Sequence, residues 1–224
     1  MTRTEFLRDL VARGLRPPLL VITDGAPGLI GAVERVYAAS LRQRCLIHRV
    51  RNVTAKVSDA DRDEVKADFW AIFDLPDHIE PGEVAVAEAR RRAEVFADTW
   101  QARYPSAVAC VLDDLPALTT FLRFPREHSR RIRHTNLIER TFGESRRRVK
   151  VIGRPGERSC LSLVWAVLDL VWAVLDRASR GWCGVDMNPT NVRLLHQLRA
   201  DLHHPHDTTP EQPNDLPETV PAVA

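Results

Sequence analysis

A short apolar run at residues 19–23, Leu-Leu-Val-Ile-Thr, breaks off at Asp24-Gly25. It is unbroken and carries Val and Ile, the pattern of a strand covered on both faces rather than an alternating surface strand. Such a strand needs a neighbour and a layer of helix, so it commits the chain to an α/β architecture. The flanks agree. Residues 4–13 place Phe6, Leu7, Leu10 and Val11 at helical spacing. Gly14 ends that helix, and Pro17-Pro18 prevents its continuation. Residues 29–37 predict a second helix. Residues 42–48 predict a second strand that passes into a helix near Arg49.

The rest of the chain is predicted to be mostly helical. Val65, Phe69, Ile72 and Phe73 recur at i, i+4, i+7 and i+8. A helix over residues 83–103 carries Val84, Val95, Phe96 and Trp100, and residues 113–122 form another. Ile138, Phe142 and Val149 continue the helical spacing. The sequence LVWAVLD occurs at 163–169 and again at 170–176. Seven residues are about two turns, so the repeat lengthens one core helix without changing its face. The most apolar run, residues 160–175, contains Asp169 and falls short of the roughly 20 residues a bilayer span needs, so a buried core helix is expected rather than a membrane helix.

Charge is polarised along the chain. Residues 58–98 carry 12 acidic against 5 basic residues, a net of −7, and residues 123–158 carry 12 basic against 4 acidic, a net of +8. The formal net charge of +2 therefore conceals two opposed fields. Residues 200–224, with five prolines, five acids and no Lys or Arg, predict a disordered tail. A hydrophobic fraction of 44% excludes disorder of the whole chain. Four scattered cysteines exclude a disulfide framework, and the charged N-terminus has no signal-peptide core. A cytoplasmic location is expected.

Two carboxylates stand out. Asp24 follows a buried strand, and the carboxyl ends of strands are where open α/β sheets bind ligands. A carboxylate there can hold a divalent cation, and it can equally be a turn or capping Asp. Glu139 lies on a predicted helix crowded by arginines, where it can hold a metal beside phosphate or simply pair with Arg140 or Arg133. Glu144 has less support. Cys45 and His48 form C-x-x-H, but no second half completes a zinc site, so a buried Cys and a hydrogen-bonded His beside the strand are expected. Arg130, Arg131, Arg133, Arg140, Arg146, Arg147, Arg148, Lys150 and Arg154 form a basic segment suited to phosphate. No sequence-reading module is evident, so contact with the nucleic-acid backbone is expected.

These motifs fall in a known order. Thr23-Asp24-Gly25-Ala26, the segment 43–52 (QRCLIHRVRN), Thr135-Asn136-Leu137-Ile138-Glu139-Arg140 and Arg146-Arg147-Arg148 resemble the Mutator-type transposases of bacterial insertion sequences. The segment from Trp100 to Pro105 resembles that family's insertion region. The resemblance covers roughly residues 5–183. It implies an RNase H-like catalytic core interrupted by an all-helical insertion. It also implies a DDE triad that binds two Mg²⁺ (or Mn²⁺), with Asp24 as its second aspartate and Glu139 as its glutamate. Cys45 and His48 match the family's C-x-x-H, Asn136 belongs to the motif around Glu139, and Trp100 corresponds to the insertion aromatic that assists DNA distortion. Arg44, Arg51, Arg140, Arg146, Arg147, Arg148, Lys150 and Arg154 are the expected DNA contacts.

The implied domains are 1–57, a partial core; 58–122, the helical insertion; 123–199, the rest of the core; and 200–224, the tail. The family's first aspartate lies on a strand upstream, whereas the only aspartate before Asp24 is Asp9, inside the predicted first helix. An N-terminally truncated chain with an incomplete RNase H-like core, unpaired strand edges and no activity on its own is therefore expected. The expected function is metal-dependent DNA cleavage and strand transfer. The expected partners are DNA and either further copies of the chain or a full-length transposase, with no membrane and no small-molecule substrate. The alternatives are a non-catalytic DNA-binding or subunit-interaction protein that modulates full-length transposase, and a basic α/β nucleic-acid-binding module with no chemistry.

Overall fold

The structure is a computed structural model that describes residues 1–135 and 185–203, with the single positions 139, 143, 172, 173 and 176. Helix α1, Arg3–Ala12, opens on a capping box: the Thr2 hydroxyl accepts the Glu5 N–H and the Glu5 carboxylate accepts the Thr2 N–H. It packs on α2, Pro27–Val36, which starts with proline in its first turn. Strands β1, Leu20–Thr23, and β2, Leu41–Arg44, pair in parallel, Leu20 opposite Leu41 and Thr23 opposite Arg44. Helix α2 is their crossover, as a parallel pair requires.

β1 is less covered than its sequence predicts. Leu20, Val21 and Ile22 are half-buried and only Thr23 is buried. The reason is the size of the sheet: among the described residues it has two strands, so one edge of β1 has no strand beside it. An α/β fold that is predominantly helical is what the structure has, with two strands rather than a full RNase H-like sheet among the described residues.

The second strand is also shorter than predicted. It ends at Arg44, and α3, Leu46–Thr54, begins with Cys45 as its capping residue. The Cys45 N–H donates to Thr23 C=O at 2.8 Å and its carbonyl accepts the Arg49 N–H at 3.1 Å. One residue closes the ladder and opens the helix, so His48 lies on a helix and not on a strand.

The core is helical. Helices α4 (Arg62–Ala71), α5 (Glu83–Trp100), α6 (Pro105–Leu112) and α7 (Leu115–Thr119) enclose Val65, Phe69, Ile72, Phe96, Val108 and Phe121. Val50 and Val53 of α3 belong to the same core, so there is no break in packing at residue 57. Within α5 the buried face is Ala85, Val86, Ala89, Ala93, Phe96 and Trp100. Two of the apolar residues used to predict this helix, Val84 and Val95, are 67% and 54% exposed because they fall out of phase with that face. Small alanines let α5 approach its neighbours closely, a role that a search for large apolar residues overlooks. The same search misses α6, although Ala107, Val108 and Val111 are spaced for it behind Pro105. The predicted helix 113–122 is interrupted: α7 starts only at Leu115, and Thr120–Arg123 is 3₁₀.

Beyond the core, α8 spans Ser129–Ile132 and α9 spans Pro189–His203. The Asn188 side chain accepts the Asn191 N–H at 2.9 Å at the start of α9. The boundary of the predicted tail is corrected, since residues 200–203 are helical. Of the predicted buried helix 160–175, the described positions Trp172 and Ala173 are helical but exposed, Trp172 by 69%. The rest of that helix and of the 163–176 repeat, the residues Ile138, Phe142 and Val149, and the tail beyond residue 203 lie outside the described residues.

A carboxylate network ties the start of α4 to the segment between α5 and α6. Asp61 accepts hydrogen bonds from Tyr104 and Arg103, and Tyr104 also meets Ser58 at 2.8 Å. The Tyr104 hydroxyl above all, and then Arg103, hold Asp61 below the usual carboxylate range. Arg91 and Arg92 do the same for Glu88, lowering it to about 2.

Phe69→Ala is expected to cost about 3–5 kcal/mol in a denaturant titration, as a fully buried aromatic should, while Val84→Ala and Val95→Ala stay within about 0.5 kcal/mol. A carboxylate whose pKa falls on folding stabilises the protein above its unfolded value and loses that contribution as pH falls. Melting temperature is therefore expected to drop as pH goes below about 4.5, and Asp61→Asn should flatten that dependence.

Candidate metal and nucleic-acid site

Asp24 follows β1 and turns back on its own chain, its Oδ1 accepting the Ala26 N–H at 3.1 Å. The side chain is exposed at the carboxyl end of the sheet. Gly25 takes φ +94°, a left-handed conformation that suits glycine. A Cβ on Gly25 would lie 0.6 Å from Nη1 of Arg44, so the Arg44 guanidinium occupies the space a side chain would fill.

Glu139 comes to the same end of the sheet through Cys45. The Cys45 thiol is buried, and its sulfur accepts the Thr135 N–H at 3.4 Å and lies 3.5 Å from the Thr135 hydroxyl oxygen. The Leu46 N–H donates to Arg133 C=O at 3.0 Å, a second tie between the start of α3 and the segment leading to Glu139. The Thr135 hydroxyl also donates to Glu139 Oε1 at 2.7 Å, and His48 Nε2 lies 3.5 Å from that oxygen. The C-x-x-H motif thus places one residue against the Thr135 turn and the other against the glutamate. The C-x-x-H spacing marks the pair, but the local sequence does not point to Thr135 or Glu139 as its neighbours.

Next to Asp24 lies a cluster that the sequence reading missed. Asp114, in the break between α6 and α7, meets Arg49 at 2.5 Å, Arg42 at 3.3 Å and Arg44 at 3.6 Å. Arg49 also donates to the Cys110 sulfur at 3.3 Å. Burial and then Arg49 pull the Arg44 pKa down, while Asp114 and Asp24 push it up. The residue spacing that makes β2 put Arg42 and Arg44 two positions apart, hence on one face. That was the available signal, but nothing in the local sequence points from it to Asp114.

The expected DNA contacts separate accordingly. Arg51 is exposed in the last turn of α3. Arg44, one of the expected DNA contacts, is 7% exposed and engaged on Gly25 and Asp114. Trp100 is 2% exposed, donates its indole N–H to Asp68 at 2.9 Å and carries Arg103 over its ring. In this conformation it serves the core and offers no face to DNA. Arg133 is half-buried, lying over Trp70, while Arg130 and Arg131 are exposed. Asn136, Arg140, Glu144, Arg146, Arg147, Arg148, Lys150 and Arg154 lie outside the described residues.

No cluster of three or more His, Cys, Asp or Glu side chains among the described residues is arranged to hold a metal. Two oxygen donors nevertheless suit Mg²⁺, which keeps several waters and takes one or two carboxylates together with substrate phosphates. No single helix among the described residues is long and apolar enough to cross a membrane.

Comparison with known proteins decides the family. Residues 2–172 match the family model described as Transposase, Mutator family. The chain belongs to the Mutator transposase family. It is similar to the transposase for insertion sequence element IS6120 of Mycolicibacterium smegmatis, 34% identical over 213 residues that cover 92% of this chain and 61% of that protein. It is also similar to the transposase for insertion sequence element IST2 of Acidithiobacillus ferrooxidans, 35% identical over 210 residues, 91% of this chain and 66% of the relative. A third relative, the transposase for insertion sequence element IS1081 of Mycobacterium tuberculosis, is 36% identical over 165 residues, 73% of this chain and 38% of its own length. This Mutator-family chain thus spans less than two thirds of the length of each of these relatives.

Glycine at position 25 is a sharp test of the arrangement. Gly25→Ala must meet both a left-handed backbone and the Arg44 guanidinium, whereas Gly14→Ala meets only the backbone term, with nothing within 4 Å. Thermal melts are expected to show a loss of about 1–2 kcal/mol for Gly14→Ala and a clearly larger one for Gly25→Ala.

Proposed function

We propose that this chain supplies two carboxylates, Asp24 and Glu139, to a divalent-cation site for DNA cleavage and strand transfer by an insertion-element transposase. What supports the reading is the chain of contacts from Thr23 through Cys45 and Thr135 to Glu139, which links the strand before Asp24 to an acid 115 positions further along the sequence. The relatives' names, as transposases of insertion elements, point the same way.

In this reading Asp24 and Glu139 would hold Mg²⁺ or Mn²⁺, which when bound supplies charge stabilisation for phosphodiester hydrolysis and transfer. The chain's own residues do the rest. Thr135 and His48 aim the Glu139 carboxylate. The Asx turn at Ala26 fixes Asp24, so neither acid must be ordered when the substrate arrives. Arg51, Arg130 and Arg131 face solvent and would meet the DNA backbone, joined by Arg140, Arg146, Arg147, Arg148, Lys150 and Arg154 of the basic segment. Backbone contact of this kind fixes position without reading sequence.

Titration of the protein with Mn²⁺ in the presence of element-end DNA tests this. Cation binding is expected, and Asp24→Asn or Glu139→Gln should weaken it by at least about tenfold while leaving DNA affinity within about threefold. Cation binding that survives both substitutions unchanged would contradict the reading. DNA binding should weaken steeply with salt, and replacing Arg130 and Arg131 by Gln should reduce that slope.

A further inference from the structure

We propose that Asp114 is a positioning residue for this cation site: by holding Arg42, Arg44 and Arg49 it keeps the Arg44 guanidinium from closing an ion pair with Asp24, and so leaves that carboxylate open to a divalent cation. The inference rests on the reading of Asp24 as a cation ligand and adds to it a residue from a different part of the fold.

The cluster packs three cations into a confined space. Arg44 and Arg49 are 7% and 9% exposed, and buried cations need counterions. Asp114 is the carboxylate all three arginines share, at 2.5 to 3.6 Å. Glu34 adds a distant contact to Arg42 alone, at 4.0 Å. The supply of partners is already short: Nη1 of Arg42 and Nε of both Arg44 and Arg49 are buried without a hydrogen bond. The Arg44 guanidinium meanwhile rests on Gly25, the residue after Asp24. If Asp114 loses its charge, Asp24 is the other carboxylate whose charge acts on Arg44. An arginine paired with Asp24 competes directly with a cation for the same oxygens.

The location of Asp114 gives this arrangement a second property. The aspartate sits where the predicted helix 113–122 is broken, between α6 and α7, so it reaches the sheet only while those helices keep their packing. Leu118 and Phe121 just beyond it are held by Gln43 of β2, which donates to Leu118 C=O at 3.2 Å and accepts the Phe121 N–H at 2.7 Å. Helical packing and the state of Asp24 are thereby linked through one side chain.

Titration of the full chain with Mn²⁺ alone, followed by electron paramagnetic resonance of the free ion, tests the proposal without reference to cleavage. Asp114→Asn is expected to weaken Mn²⁺ binding by about tenfold, the scale of removing one charge near a divalent ion at an effective dielectric of about 20 with partial salt screening. Adding Arg44→Met to Asp114→Asn should return the affinity to within about threefold of the unmodified chain, a rescue that simple structural damage would not show. Should Asp114→Asn not fold, Arg44→Met alone carries the test and should tighten Mn²⁺ binding several-fold. Unchanged affinity in Asp114→Asn, failure of the rescue, or no effect of Arg44→Met overturns the role of Asp114. Loss of binding in Asp24→Asn alongside any of these results leaves the cation site itself standing. Equal affinity in Asp24→Asn and the unmodified chain removes the cation site and the role of Asp114 together.

Discussion

Three arginines gathered on one aspartate join the two parts of this molecule. Arg42 and Arg44 come from the strand β2, Arg49 from the helix that follows it, and Asp114 from the break between two helices of the core. Ion pairs this deep are poor sources of net stability, because desolvation offsets most of the Coulomb gain. Their effect is on arrangement. Removing one partner from a buried set costs several kcal/mol, which penalises any placement of the helices that separates Asp114 from the three arginines. A two-stranded sheet needs such help, since it is too small to be stable without something packed on it.

Cys45 is the other fixed point. Its backbone ends the strand pairing and starts α3, and its sulfur accepts the Thr135 N–H. A cysteine here acts as a compact acceptor rather than a reactive thiol. With His48 one turn further along α3, a four-residue motif reaches both the segment and the carboxylate that the sequence places about 90 residues away.

How much of this could be read beforehand depended on the range of the interaction. The strand at residues 19–23, the turn at Asp24-Gly25 and the α4 and α5 helices follow from local pattern, because apolar spacing and glycine placement act over a few residues. Local pattern also misled. Val84 and Val95 looked like core residues and face solvent, while the alanines beside them make the contact. Arg44 is expected to contact DNA from the family resemblance, and its burial is set by Gly25 and Asp114, one of them 70 residues distant. Trp100 carried a family expectation of contact with DNA, and its indole is committed to Asp68 inside the core. Glu139 was found through motif order, but its neighbours Thr135 and His48 emerge only once α3 is known to begin at Leu46.

A structure of the protein crystallised with Mn²⁺, with anomalous diffraction recorded at the manganese edge, addresses the central claim most directly. An anomalous peak is expected at the carboxyl end of β1, within coordination distance of the Asp24 and Glu139 carboxylates. A peak that touches only one of them, or none at that end of the sheet, would contradict it.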